Sequence, residues 1–165
     1  GAMLERACEQ YLDRTETGIE QFRRRPDHQL LTELATHVPE LGRRIERRNL
    51  YKRAIWAEAS AVPRGTMDAG YDEERRAERE IADAAGIDPA EVIVDIPDRP
   101  GLKESGTNVV INGVVKRLED ASELVSGIRA AERARWRLGV YCPEEHVPAV
   151  SDAGAAVLDL KAGGL

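Results

Sequence analysis

Arg43, Arg44, Arg47, Arg48, Lys52 and Arg53 crowd into eleven residues, opposed within that stretch only by Glu46. Guanidinium groups bind phosphate oxygens as two-pronged donors, and an ammonium adds a compact point charge. On a helix, Arg44 and Arg48 share one face, as do Arg43 and Arg47. Such a cluster suits a polyphosphate or an acidic partner surface. The competing reading is a solvated face neutralised by Glu40, Glu46 and Glu58.

Other residue types offer less. His28, His37 and His146 are scattered, and no two have the spacing of metal ligands. Cys8 and Cys142 lie far apart; Cys142 sits in an apolar strand, where burial raises a thiol pKa instead of activating it. Asp95 and Asp98 are a thin carboxylate pair, and Asp95 is expected to face solvent or cap a neighbouring backbone group. Neither a nucleophile elbow, a P-loop nor a dinucleotide fingerprint is present. The sequence therefore supplies no catalytic residue and no metal ligand.

The surrounding charge makes the basic cluster stand out. The chain has 165 residues, 30 acids against 24 bases, and a net charge of −6. Arginines outnumber lysines by twenty to four, a composition that fits a halophilic archaeon or a GC-rich genome. Bulk negative charge works against non-specific nucleic-acid binding. Two unpaired thiols fit a reducing cytoplasm. No run reaches the length of a membrane span, and no signal peptide is seen. Gly1-Ala2-Met3 reads as a cloning scar.

The elements that must position these residues follow from spacing. Residues 4–49 read as four short helices, with Leu4, Ala7, Cys8, Tyr11 and Leu12 on one face of the first. Asp27 is expected to cap the third, and Pro39 to open the fourth. From Leu50 the texture becomes β-α-β-β-α-β-α. A strand over 50–59 has its alternation broken by Arg53 and Glu58. The helix from Asp72 stops at Gly86. Residues 91–96 form the clearest strand, Asp98 to Thr107 a loop, and Asn112-Gly113 a type I′ turn between two strands. Asp120 or Ser122 caps a helix, 136–142 is a strand, and a last helix lies within 144–160. These elements predict an α+β protein: helical residues 4–49, a ferredoxin-like βαββαβ sandwich with a C-terminal helix over 50–160, and a frayed tail at 161–165.

The string Glu46-Arg47-Arg48-Asn49-Leu50-Tyr51-Lys52 resembles the segment that follows the catalytic helices in HD-superfamily phosphohydrolases. These include the dNTP triphosphohydrolases that couple a sterile-alpha-motif domain to an HD domain. Val92 to Pro97, Val114 to Leu118 with Ser122-Glu123-Leu124, and Trp136 to Pro143 resemble the same family in the same order. The resemblance implies that residues 4–49 end an HD-type helical domain whose metal-binding histidines and His-Asp pair lie before this chain. It implies a divalent metal for that domain and none for this one. The implied partners are the catalytic HD domain itself and further copies in a homo-oligomer. A dNTP or NTP is implied at Arg48 and Lys52, with Arg44 and Arg47 as neighbours. The implied function is a non-catalytic accessory and oligomerisation region. The alternative is a freestanding ferredoxin-like module for RNA or a small ligand, for which Tyr51, Trp56, Trp136 and Tyr141 are the strand aromatics.

Overall fold

Apolar residues at three- and four-residue spacing make the N-terminal third helical, and its breaks fall at glycine and proline. The computed structural model, which describes residues 1–98 and 107–161, has α1 at Ala2–Arg14, α2 at Ile19–Arg23, α3 at Asp27–His37 and α4 at Pro39–Glu46. Pro39 opens α4 as its spacing predicts. Asp27 is the first residue of α3 instead of its cap, which is Pro26; there the helix dipole still favours its carboxylate. The buried face of α1 is Met3, Arg6, Ala7 and Tyr11, while Leu4 is 38% exposed. Ala7 and Tyr11 face the core as expected, with Cys8 and Leu12 packed partly buried against it; Leu4 alone departs, and Arg6 joins the inner side through its pair with Glu78. Met3, read with the scar, is a core residue. Gly42 lets α4 cross α3 closely: a Cβ there would overlap the backbone carbonyl of Leu34.

The α+β lobe is built on β1 (Lys52–Glu58), β2 (Ile93–Asp95) and β5 (Arg137–Cys142). They form one antiparallel sheet in the order β1-β5-β2. The broken alternation in β1 has a structural cause, a bulge between Arg53 and Ile55, which re-aims the side chains beyond it. Between β1 and β2 come a short α5 (Arg64–Met67) and α6 (Tyr71–Ala85), which ends at Gly86 with φ of 70°. The C-terminal helix α9 spans Val147–Val157.

Strand alternation sends the two faces of the sheet into two cores. Val94 and its partner Val140 join Ile55, Ile81 and Val150 under α6 and α9. Ile93 and its partner Tyr141 instead meet Met3, Tyr11, Leu34 and Leu41 of the N-terminal helices. The four helices close their core only by borrowing Ile93 from the sheet.

The α+β class, the order of the main elements and the C-terminal helix are as expected; the single ferredoxin-like sheet is not formed. The strands β3 (Asn108–Ile111) and β4 (Val114–Arg117) make a separate two-stranded sheet. Two helices follow it, α7 (Leu118–Ala121) and α8 (Glu123–Arg135). The reason is burial. β5 is apolar on both faces and takes the centre, with β1 and β2 as its neighbours. Nearly all of the hairpin is exposed, so it has no single apolar face to lay on a core. Its turn is as predicted: Asn112 and Gly113 have φ of 53° and 78°, the values a type I′ turn requires. Ser122 holds the cap position of α8, without a side-chain hydrogen bond. The rest of the loop expected at 98–107 and of the tail at 161–165 lies outside the described residues.

Candidate functional site

Helix α4 stops in a turn that few sequences choose. The Asn49 N–H donates to the Arg44 carbonyl at 2.9 Å, and the Arg48 N–H to the Ile45 carbonyl at 3.1 Å. This is the paired closure that normally has glycine at its left-handed position. Here that position is Arg48, with φ of 56°. A side chain in this conformation costs about 1 kcal/mol relative to glycine. Its guanidinium is exposed, as are those of Arg43, Arg47 and Arg53 and the ammonium of Lys52.

The same turn leads directly into β1, so helix end and strand start share the basic cluster. Arg44 is half-buried and lies over the Tyr51 ring, 5.3 Å from its centroid. Arg53 lies 5.0 Å over Trp56, which meets Tyr141 edge-on at 6.5 Å. Such stacking holds a guanidinium plane in place while leaving its edge N–H groups available. Lys52 Nζ stands 3.9 Å from the Glu144 carboxylate, both largely exposed. Two of the acids that would neutralise the cluster serve other partners. Glu40 pairs with Arg14 at 3.2 Å, and Glu58 with Arg137 at 2.8 Å. The bases also gather at a helix C-terminus, where the dipole welcomes positive charge. That explains the placement of Arg43, Arg44 and Arg47, but not a left-handed arginine.

Beside the cluster opens an apolar cleft of about 320 Å³, lined by Gly1, Ala2, Met3 and Leu4 at the start of α1 and by Ile45, Leu50, Tyr51 and Tyr141. Tyr51 joins the two, forming a wall of the cleft and carrying Arg44 on its ring. Charged groups on one side and an aromatic-lined cleft on the other are the two halves of a site for an amphipathic anion.

The remaining candidates separate widely. His28 and His37 are exposed on α3, and His146 lies 3.5 Å from Glu91. Cys142 is buried, and its thiol is pushed up to about 11, chiefly by desolvation. Asp95, expected to face solvent or cap a neighbouring backbone group, is half-buried, and burial raises its pKa. Among the described residues no three His, Cys, Asp or Glu side chains converge on a point where a cation would sit. The donor set for the implied divalent metal is therefore not found in them.

Spacing alone misses a second polar centre. Arg6 donates to the buried Glu78 at 2.5 Å, and the same carboxylate accepts the Val94 N–H at 2.9 Å. Arg75 lies 3.1 Å from it, and Glu9 is 3.2 Å from Arg6. Glu74 accepts the Ile96 N–H at 3.0 Å. These ties fasten α1 to α6 and β2. The signal was present in α6, where Glu74, Glu78 and Ala82 recur every four residues on the inward face.

Two comparisons bear on identity. The model of the HD associated region matches residues 1–164. An uncharacterized protein of Methanocaldococcus jannaschii is 25% identical over 150 residues, which is 88% of this chain and 32% of that protein. The chain thus spans about a third of the length of the relative it matches.

Proposed function

Because the chain belongs to the HD associated region family, we propose that it is a non-catalytic accessory region of a metal-dependent HD-family phosphohydrolase. In this reading Arg48 and Lys52 hold the phosphates of a regulatory nucleotide. Arg44 and Arg47 add field, and the cleft beside Tyr51 receives the base. The observation that carries the proposal is the left-handed Arg48. Residues held in costly backbone conformations gather at functional sites, and glycine would close α4 with less strain. Retaining arginine there is explained if its guanidinium has a phosphate to meet. Neutralising the cluster would then let two subunits approach.

The test is a calorimetric titration of the chain with tripolyphosphate and with a dNTP, at two stated salt concentrations. Arg48→Ala is expected to weaken both about tenfold, the worth of one charge-assisted contact. Lys52→Ala should weaken both less and reduce the salt dependence. Equal affinity in wild type and Arg48→Ala would end the proposal. Preferred binding of single-stranded RNA would favour the freestanding module instead.

A further inference from the structure

The cleft beside the basic cluster has little with which to read a polar edge. Of its eight described lining residues, only Met3, Tyr51 and Tyr141 carry a side-chain atom able to hydrogen-bond. The Met3 sulfur already accepts the Tyr51 N–H at 3.0 Å. Tyr141 lies back over β5, where a Cβ added at Gly139 would come 2.7 Å from its hydroxyl oxygen. Main-chain groups are spent as well. The Ile45 carbonyl takes the Arg48 N–H at 3.1 Å, and the Leu4 N–H goes to the Gly1 carbonyl at 2.9 Å. The Tyr51 hydroxyl remains, and a hydroxyl rotates to donate or accept as its partner requires. The rest of the wall is the Tyr51 ring and the aliphatic side chains of Leu4, Ile45 and Leu50.

We propose that the site takes nucleoside triphosphates of any base and either sugar, sorting them by phosphate number and ring size and not by the base edge. Guanine offers an acceptor where adenine offers a donor, in nearly the same outline. Telling them apart, or ribose from deoxyribose, needs a fixed polar partner, and an apolar pocket separates such pairs only weakly. Stacking on an aromatic ring admits every base, since each has a π-face. Apolar burial grows with area, so a two-ring base gains more than a one-ring base. At about 320 Å³ the cleft is close to the roughly 300 Å³ at which small-molecule pockets begin, which leaves room for one base. Phosphates meet the opposite chemistry. The guanidiniums of Arg43, Arg47, Arg48 and Arg53 and the Lys52 ammonium are all exposed beside the cleft, so each phosphate removed from a ligand removes charge-assisted contacts.

The inference rests on the reading that Arg48 and Lys52 hold phosphate, and its test separates the two. The chain is titrated calorimetrically with dGTP, dATP, dTTP, GTP, dGMP and tripolyphosphate at one stated salt concentration. The three purine triphosphates are expected to agree within about tenfold. dTTP should bind more weakly than dATP, and dGMP about a hundredfold more weakly than dGTP, tenfold for each phosphate. A wider gap between dGTP and dATP, or between GTP and dGTP, overturns the inference, as does dTTP binding as tightly as dATP. Nucleotides no tighter than tripolyphosphate would put the base outside the cleft and overturn it too. In each of these cases a loss of affinity in Arg48→Ala leaves the phosphate reading standing; equal affinity in that variant removes both. Leu50 is 48% exposed, so Leu50→Ala spares the core; it should weaken every nucleotide alike and leave tripolyphosphate unchanged. Tyr51→Phe, checked for folding by circular dichroism, should preserve the order of the nucleotides. A shift confined to one base would show that the hydroxyl reads an edge, against the inference.

Discussion

Arg48 joins a backbone cost to a side-chain use, and the two can be measured apart. In Arg48→Gly the left-handed turn is relaxed, worth about 1 kcal/mol, while one favourable charge at the end of α4 is lost, worth about 0.3–1 kcal/mol and toward the lower end where salt screens it. The first effect is larger, so the variant is expected to gain about 0.5 kcal/mol. This should appear as a higher urea midpoint with an unchanged slope. Arg48→Ala keeps the strained turn and should gain nothing. A loss of stability in the glycine variant would show that the arginine is retained for the fold instead. The basic cluster itself was legible in the sequence, because six cations in eleven residues reverse the sign of an acidic chain. Its geometry was not. Which residue after Glu46 turns left-handed depends on how α4 closes against β1, and local composition does not encode it.

Among the elements, the seam between α1, α6 and β2 gives the molecule its pH response. Glu74 is raised to about 7 by burial first, with the Asp95, Glu78 and Glu9 carboxylates adding in the same sense and the Ile96 N–H opposing. Arg75 faces it from the same helix at 3.7 Å. Glu9, Glu78 and Asp95 are themselves shifted upward. The folded state therefore holds these protons more tightly than the unfolded chain does. The resulting stabilisation is complete below about pH 4.5 and is lost as pH rises toward 7. The melting temperature should fall between those limits, apart from titrations elsewhere in the chain. Glu74→Gln keeps an acceptor for Ile96 but no longer titrates, so its profile should be shallower and its melting temperature higher above pH 7. A slope identical to wild type would remove Glu74 from the account. Helix α6 was legible from its acidic first turn and Gly86; the bulge in β1 was not foreseen, although Arg53 marks where the alternation breaks. The seam was missed because a glutamate on a helix reads as solvated until its partner is known, and Arg6 lies seventy-two positions from Glu78.

At the scale of the whole molecule, sequence order and spatial order part company at the hairpin. Strand identity is local, set by alternation and by Asn112-Gly113, and so it could be read directly. Which strands share a sheet depends on which faces have a core to cover, and that is decided by packing far along the chain. The separation has a measurable consequence. Amides of β5 are bonded on both sides between two cores, so they should exchange only through opening of the main body. Amides of β3 and β4 have one partner strand and little cover. In dilute solution they should exchange through local opening that costs far less than the roughly 5–15 kcal/mol of global unfolding. Hydrogen–deuterium exchange with mass spectrometry resolves these peptides. Equal protection of the hairpin and β5 would mean that the hairpin is part of the main cooperative body.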